Sequence, residues 1–360
     1  MAPLAAPRRA RRSAPVVAAG AAVVGAALLA VRSALPARTF TAPQQQQVVA
    51  QSAELQEAPG PLSRSTLLRS SAMLPAAAWP FAASAGAKVG GDAVVLNNKL
   101  SFQVASFGLQ VYDDATAEEL TKTSLEVGFR NFFASVLARN QKGFARGFKA
   151  SGVPREDVFI CGSVLSNQAT DFNSAYELTK RGCDENLKAF AVGGIDYVDM
   201  IMLDYPCRDC DSIRGQWKAF EEMLASGKTK SLAVSNFSPA QLDCILQDKT
   251  ATVPTVNQLP YAVGSFGPTD VEENRKRGII VQAWSPLSSG SSKGKRVCKE
   301  IGQKYGKSGT QVELRWIVQS GATYSMQTKK RSHFEEDLNI FDFQLTQEEM
   351  DKISSSNSQR

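Results

Sequence analysis

From residue 94 to residue 353 the chain repeats one pattern eight times: a short apolar run, then a longer amphipathic stretch. In one such stretch Trp217, Phe220 and Leu224 recur at the spacing of a single helix face. Alternating strands and helices favour a parallel sheet with right-handed crossovers, and eight repeats are enough to close a barrel. The sequence therefore predicts an α/β fold, a (β/α)8 TIM barrel, with strands at 104–108, 129–133, 158–162, 198–203, 231–235, 255–258, 279–284 and 322–326.

A hairpin is predicted ahead of the first barrel strand. VVLNNKLSFQV contains two short strand patterns joined through Asn97 and Asn98, a turn signal. In a parallel barrel, function gathers at the carboxyl ends of the strands, so the residues there form the candidate site. The clearest helical patterns between the strands cover 115–127, 174–191, 212–226 and 295–305.

Four segments, SGVPREDVFI, GIDYVDM, GKTKSLAVSNFSP and GIIVQAWSPL, resemble the aldo-keto reductases. The resemblance covers essentially all of 94–353 and implies the aldo-keto reductase type of barrel, with an N-terminal β-hairpin plugging its bottom. It also implies carbonyl reduction with a nicotinamide nucleotide, carried out by an Asp, a Tyr, a Lys and a His.

The chain departs from the family at all four catalytic positions. In GFRNFFASVLARNQ the Asp position is Phe133 and the Tyr position is Ala138. FICGS places Ser163 where the family has Lys, and DYVDMIMLDYP places Asp204 where it has His. Reduction leaves negative charge on the substrate oxygen, which needs a proton donor beside it. Ala138 has no such proton, so we expect no catalytic residue to remain unless a neighbour such as Tyr205 takes over the role.

The resemblance also implies that part of a nicotinamide site survives. Three polar residues match the side chains that bind the carboxamide, one aromatic matches the residue that stacks on the ring, and two residues match the pyrophosphate loop. The same residue types serve turns and helix starts, so nucleotide binding and purely structural survival both remain open. The matching residues are Ser235, Asn236 and Gln258, then Trp284, then Ser285 and Leu287.

The adenosine end matches the family less well. In SMQTKKRSHFEED, Gln327 replaces a Lys, Thr328 a Ser, His333 an Arg and Asp337 an Asn. Of these, Thr328 is retained as a candidate cofactor-binding residue. A 2′-phosphate needs cations, so this site is weakened for NADP(H), and either NADP(H) or NAD(H) remains possible as the cofactor. The neighbouring basic run 329–331 could partly substitute, although such a run is more often a solvated loop. His333, the only His in the chain, is interpreted as an exposed residue at a helix start.

Two of the six cysteines form a C-x-x-C motif, Cys207 and Cys210, after the fourth barrel strand. The spacing allows a disulfide, and Arg208 would favour a thiolate. The neighbouring aspartates would instead raise a thiol pKa, so a structural disulfide or inert thiols is the favoured interpretation and a redox pair is the minor one. Two thiols with carboxylates lack the ligand set of a zinc site, and no metal is predicted.

The first 87 residues are predicted to be a targeting leader. They contain eight Arg, no Lys and only Glu54 and Glu57, a net charge of 8 − 2 = +6. The rest of the chain has 41 − 8 = 33 basic and 35 − 2 = 33 acidic residues and is neutral. The formal charge of +6 therefore lies in the leader and does not indicate a nucleic-acid partner.

The leader has the order of a signal peptide followed by transit segments. A cluster of four Arg precedes the uncharged run 13–31, a stretch led by Phe40 follows, and 70–87 is a second uncharged run ending in Ala-Gly-Ala. This order resembles plastid leaders of algae whose plastids are reached through the secretory route. A membrane anchor at 13–31 and an ordinary transit-peptide tail at 70–87 are the alternatives.

Together these patterns predict a leader at 1–87, an aldo-keto-reductase-like barrel at 88–354 and a tail at 355–360. The leading functional hypothesis is a non-catalytic binding or complex-associated plastid protein, with a protein partner in a plastid or thylakoid complex and membrane contact only through the cleavable leader. The alternative is an NAD(P)H-dependent oxidoreductase with altered active-site residues. A thiol-redox regulator using Cys207 and Cys210 is a minor alternative.

Overall fold

The computed structural model describes residues 91–287 and 291–356. The predicted leader lies outside the described residues, as do its two uncharged runs. Within the described ranges, no helix is both long enough and apolar enough to cross a bilayer.

The hairpin forms as predicted and closes the amino-terminal end of the barrel. Its strands β1 (Ala93–Val95) and β2 (Ser101–Gln103) pair antiparallel. The Asn97 side-chain amide donates to the carbonyls of Pro254 and Gly278, at 3.0 and 3.1 Å, and that of Asn98 donates to the Lys230 carbonyl at 3.0 Å. These contacts fix the turn against the barrel. An open cavity of about 480 Å³ beside it therefore lies at the end of the barrel opposite the candidate site.

Eight parallel strands close into a barrel in the order β10-β3-β4-β5-β6-β7-β8-β9. This confirms the predicted fold, and each strand lies within two residues of its predicted bounds. The strands are β3 (Ala105–Gly108), β4 (Asn131–Phe133), β5 (Phe159–Val164), β6 (Met200–Asp204), β7 (Leu232–Ser235), β8 (Val256–Pro260), β9 (Ile280–Trp284) and β10 (Thr323–Met326).

Helices surround the barrel and most begin at a side chain that caps the first free backbone N–H groups. Asp113, Asp171 and Asp209 each accept a hydrogen bond from the backbone three residues on. Ser238 and Ser308 begin helices with reciprocal capping boxes. The helices are α1 (Asp114–Val127), α2 (Gln141–Ser151), α3 (Phe172–Phe190), α4 (Cys210–Ala225), α5 (Pro239–Leu246), α6 (Asp270–Lys276), α7 (Ser292–Tyr305), α8 (Gly309–Gln319), α9 (Arg331–Leu338) and α10 (Gln347–Ser354).

The strand register determines which side chains enter the barrel. Asp204 is in register with Ser235, Ser235 with Gln258, and Gln258 with Gln282. Register partners on parallel strands face the same side, and successive residues alternate. The alternate set faces the helices, since Asn257 bonds Asn274 of α6 and Tyr324 bonds the Asp337 carbonyl of α9. The row from Asp204 to Gln282 therefore points into the barrel.

Candidate functional site at the carboxyl end of the barrel

Three barrel strands are each followed directly by a residue whose backbone is in the left-handed region. Tyr205 follows β6 with φ 71°, Asn236 follows β7 with φ 62°, and Ser285 follows β9 with φ 50°. Asn tolerates this conformation, whereas it is uncommon for Tyr and Ser. Backbone strain of this kind clusters at functional sites, and here it marks the end of the barrel where such folds bind ligands.

Of the four residues that the sequence resemblance matches to the family's catalytic positions, three lie towards the carboxyl ends of the neighbouring strands β4, β5 and β6, and Ala138 lies in the loop after β4. Phe133 ends β4 and is 2% exposed, and Ser163 lies in β5 and is fully buried. The Ser163 hydroxyl accepts a hydrogen bond from the Val136 backbone N–H at 3.1 Å. It therefore holds the loop between β4 and α2, in which Ala138 lies partly exposed. Asp204 ends β6, one strand further round the barrel.

Asp204 is the ionisable residue of this row. Burial raises the pKa of its carboxyl to about 7, and a hydrogen bond from the Ser235 hydroxyl offsets part of the increase. Neither cause involves a basic side chain. At neutral pH the carboxyl is therefore divided between its protonated and ionised forms, and the ionised form carries an uncompensated negative charge.

A chain of hydrogen bonds joins Trp284 to Asp204. The Trp284 indole N–H donates to Asn236 Oδ1 at 3.1 Å, and Asn236 Nδ2 donates to Ser235 Oγ at 2.8 Å. The Ser235 hydroxyl in turn donates to the Asp204 carboxyl. Three of the predicted cofactor residues, Ser235, Asn236 and Trp284, are thus brought together and linked to the residue at the family's His position.

Gln258 is held by a residue that the sequence did not single out. Its Nε2 donates to Gln282 Oε1 at 2.7 Å, while Gln282 Nε2 is buried without a partner among the described residues. The hydroxyls of Ser106 and Ser325, register partners on β3 and β10, are likewise buried and unpartnered in this part of the chain. Strict alternation along β3, β9 and β10 was the signal that could have identified these inward-facing polar residues.

The adenosine end offers few available cations. Thr328 Oγ1 lies 3.1 Å from His333 Nδ1, and His333 is exposed near the start of α9, as predicted. Gln327 Nε2 donates to Gln110 Oε1 at 2.8 Å. In the basic run, Arg331 pairs with Glu126 at 2.8 Å and with Glu335 at 3.2 Å. Arg331 is therefore engaged in surface ion pairs, while Lys329 and Lys330 are exposed.

The two cysteines of the C-x-x-C motif are not bonded to each other, although the spacing allows it. Cys210, the first residue of α4, forms a disulfide with Cys244 of α5, and Cys207 is a free thiol. Cys207 is buried, and its thiol donates to the Ser166 carbonyl at 3.5 Å. Burial, and secondarily Asp209, raises its pKa to about 11. A thiol so protonated and enclosed is poorly suited to redox exchange. Among the described residues no cluster suits a metal ion.

The residues at the carboxyl end of the barrel fit the nicotinamide half of a nucleotide better than they fit a 2′-phosphate. Trp284 is held at the mouth by its indole N–H, beside the Ser235 and Asn236 side chains and the buried amide of Gln258. Ser285 and Leu287 continue from β9 as the adjoining loop and are partly exposed. When bound, such a nucleotide would supply hydride-transfer chemistry, and these residues would hold its ring.

The similarities to known proteins agree with this geometry. The sequence profile of the Aldo/keto reductase family matches residues 99–358. Glyoxal reductase of Bacillus subtilis is 31% identical over 269 residues, which cover 74% of this chain and 93% of that protein. The 9,11-endoperoxide prostaglandin H2 reductase of Trypanosoma cruzi is 29% identical over 275 residues, 75% of this chain and 93% of that protein.

Solved structures give the same result. An aldo/keto reductase from Brucella melitensis superimposes with a TM-score of 0.67 at 26% identity, covering 74% of this chain and all of that one. An aldo-keto reductase from a deep-sea metagenome of the Medee basin also gives 0.67, at 25% identity, covering 74% of this chain and 95% of that one. By profile, relatives and fold, this chain belongs to the aldo-keto reductase family.

Proposed function

We propose that this protein is an aldo-keto reductase family barrel that binds a nicotinamide nucleotide but no longer reduces carbonyls. The observation that supports this most directly is the composition of the barrel mouth. Phe133, Ala138, Ser163 and Asp204 occupy the positions where the resemblance places the Asp, Tyr, Lys and His, while Ser235, Asn236 and Trp284 form a connected cradle.

The chemistry of reduction explains why these substitutions matter. Hydride transfer to a carbonyl builds an alkoxide, which needs a positioned proton donor and nearby positive charge. Ala138 can provide neither. The Ser163 hydroxyl accepts the Val136 N–H and carries no charge. An ionised Asp204 would repel the developing oxyanion. On this proposal the nucleotide is a bound ligand and its hydride is not passed to a carbonyl.

A carbonyl assay tests the loss of activity. We expect the full chain, supplied with NADPH or NADH and a broad panel of aldehydes and ketones, to oxidise nucleotide at the uncatalysed rate. Tyr197→Phe is a control of the same chemistry at the other end of the barrel, where the ring of Tyr197 stacks under Arg155 and Lys230. Sustained oxidation that Tyr205→Phe or Asp204→Ala abolishes, and Tyr197→Phe leaves intact, would contradict the proposal.

A second candidate is an oxidoreductase that has moved its proton donor. The specific observation in its favour is the Asp204 carboxyl, whose pKa of about 7 lets it carry a proton near neutral pH. Both relatives named above are reductases. The assay with Asp204→Ala distinguishes this candidate from the first.

We further propose that the protein acts in a plastid, with a protein partner in a plastid or thylakoid complex. The support is the order of basic, uncharged and Phe-led segments in 1–87 and the neutral charge of the rest of the chain. The thiol-redox alternative is weakened, because the two motif cysteines are not bonded to each other.

A further inference from the structure

The nicotinamide cradle adjoins a buried acid. Asp204 on β6 is in register with Ser235 on β7, and the Ser235 hydroxyl donates to its carboxyl. Ser235 is joined through Asn236 to the indole of Trp284, the residue proposed to stack on the nicotinamide ring. The residue that would touch the ring and the acid therefore belong to one connected set.

We infer that this site prefers the oxidised nucleotide, NAD⁺ or NADP⁺, over NADH or NADPH, and that Asp204 is the residue that determines the preference. The inference rests on the proposed function, since it requires that the nucleotide bind in the cradle. Beyond the proposed function, the inference specifies which redox form of the nucleotide binds more tightly.

The two forms of the ring differ in charge. The oxidised ring is a pyridinium cation, whereas the dihydronicotinamide ring is neutral. A carboxylate close to the ring attracts only the cation. Because Asp204 is buried inside the barrel, near Phe133, water screens this attraction weakly. At an effective dielectric constant of about 20, unit charges roughly 6 to 12 Å apart give a preference on the order of tenfold to a hundredfold.

The groups around Asp204 leave its charge uncancelled. Neighbouring β7 presents Ser235, and on the other side β5 presents Ser163 and the Cys161 thiol. The pKa of Cys161 is well above its usual range, chiefly through burial and then through Asp204, so this thiol stays neutral. β4 presents the ring of Phe133. None of these facing side chains is a cation.

Proton linkage gives the preference a direction with pH. A carboxyl with a pKa near 7 must be ionised to attract the pyridinium, so binding of NAD⁺ at neutral pH shifts the group toward its ionised form and releases protons. Affinity for the oxidised form should therefore rise as pH increases through 7. Affinity for the reduced form should not rise with it.

Calorimetric titration of the full chain with NAD⁺, NADH, NADP⁺ and NADPH at pH 6 and pH 8.5 tests the inference. We expect at least about tenfold tighter binding of the oxidised forms at pH 8.5, a smaller ratio at pH 6, and at pH 7 a binding enthalpy that depends on the buffer because protons are released. Asp204→Asn, which keeps the shape of the side chain, should remove the preference and the proton release.

Asp209→Asn is the matched control. It removes one negative charge five residues further along the same loop, and Asn can replace Asp as the cap of α4. Equal affinity of the wild type for both redox forms, or equal effects of the two substitutions, would overturn the inference and leave nucleotide binding intact. Absence of binding by all four nucleotides would instead overturn the proposed function, and this inference with it.

Discussion

Removing the disulfide between Cys210 and Cys244 should lower the stability of the barrel by a predictable amount. The bond joins residues separated by 34 positions in sequence. In the chain-entropy view, opening a loop of this length returns freedom to the unfolded chain worth about 4 kcal/mol at 25 °C. Native contacts between the same helices persist, because Arg214 of α4 still donates to the Cys244 carbonyl at 3.2 Å and to Gln247 Oε1 at 2.9 Å. We therefore expect the folded state to survive and the loss to arise mainly in the unfolded state.

Urea unfolding of the oxidised wild type and of Cys244→Ser measures this difference. Cys207→Ser is the control. The introduced hydroxyl can still donate to the Ser166 carbonyl, and removal of the Cys207 thiol should leave the disulfide between Cys210 and Cys244 intact. Thiol titration of the denatured, unreduced protein should find four thiols in the wild type and 6 − 1 = 5 in Cys244→Ser. Three thiols are expected in Cys207→Ser. Five thiols in Cys207→Ser and three in Cys244→Ser, with the larger loss of stability in Cys207→Ser, would instead indicate a bond between Cys207 and Cys210 and refute the assigned pairing.

Two other predictions concern a buried acid and the leader. Burial, and secondarily Glu336, raises the pKa of Asp337 to about 8, so the unfolded chain releases this proton from about pH 4 upward while the folded chain keeps it to about pH 8. The free energy of unfolding of the wild type should therefore fall between about pH 4 and pH 8 relative to that of Asp337→Asn, by at most about 1.4 kcal/mol per pH unit. Urea unfolding at several pH values measures this difference, and parallel pH profiles of the two proteins would refute it. N-terminal sequencing of the native protein should place the mature start near Lys88, whereas a mature chain that keeps 8–31 would indicate a membrane anchor.

The strands were predictable because their signal is local. Each apolar run is set off by turn residues and amphipathic helices, so all eight barrel strands, and the hairpin through Asn97 and Asn98, lie where the sequence places them. The first residues of the helices were nearly as predictable from the sequence, since Ser238 and Asp209 are of the residue types that cap helices.

The contacts of the site were less predictable because they join residues distant in sequence. Cys210 and Cys207 are close along the chain, but Cys210 begins α4 and its bonding partner lies on α5. The contact of Asp204 with Ser235 depends on the register of β6 against β7, which no local pattern specifies. The same holds for the Ser163 hydroxyl, whose partner is the backbone of a loop 27 residues earlier.

The contacts of Ser163 and Phe133 determine how the family's Lys and Asp would be accommodated at these two positions. A Lys at 163 would take away the acceptor of the Val136 N–H and place an ammonium at a site with no exposed surface. An Asp at 133 would replace a ring that is 2% exposed with a smaller, charged group. A Lys at 163 would lie on the strand beside the buried Asp204 carboxyl, whereas an Asp at 133 alone would add a buried carboxyl that no cation faces. Ala138 is partly exposed, so a Tyr at this position would bury no charge. Without a Lys at 163, however, that Tyr would lack the neighbour that lowers its pKa. One substitution at this barrel mouth would therefore not supply both a proton donor and the charge beside it, because Ala138 carries neither and positions 133 and 163 are buried.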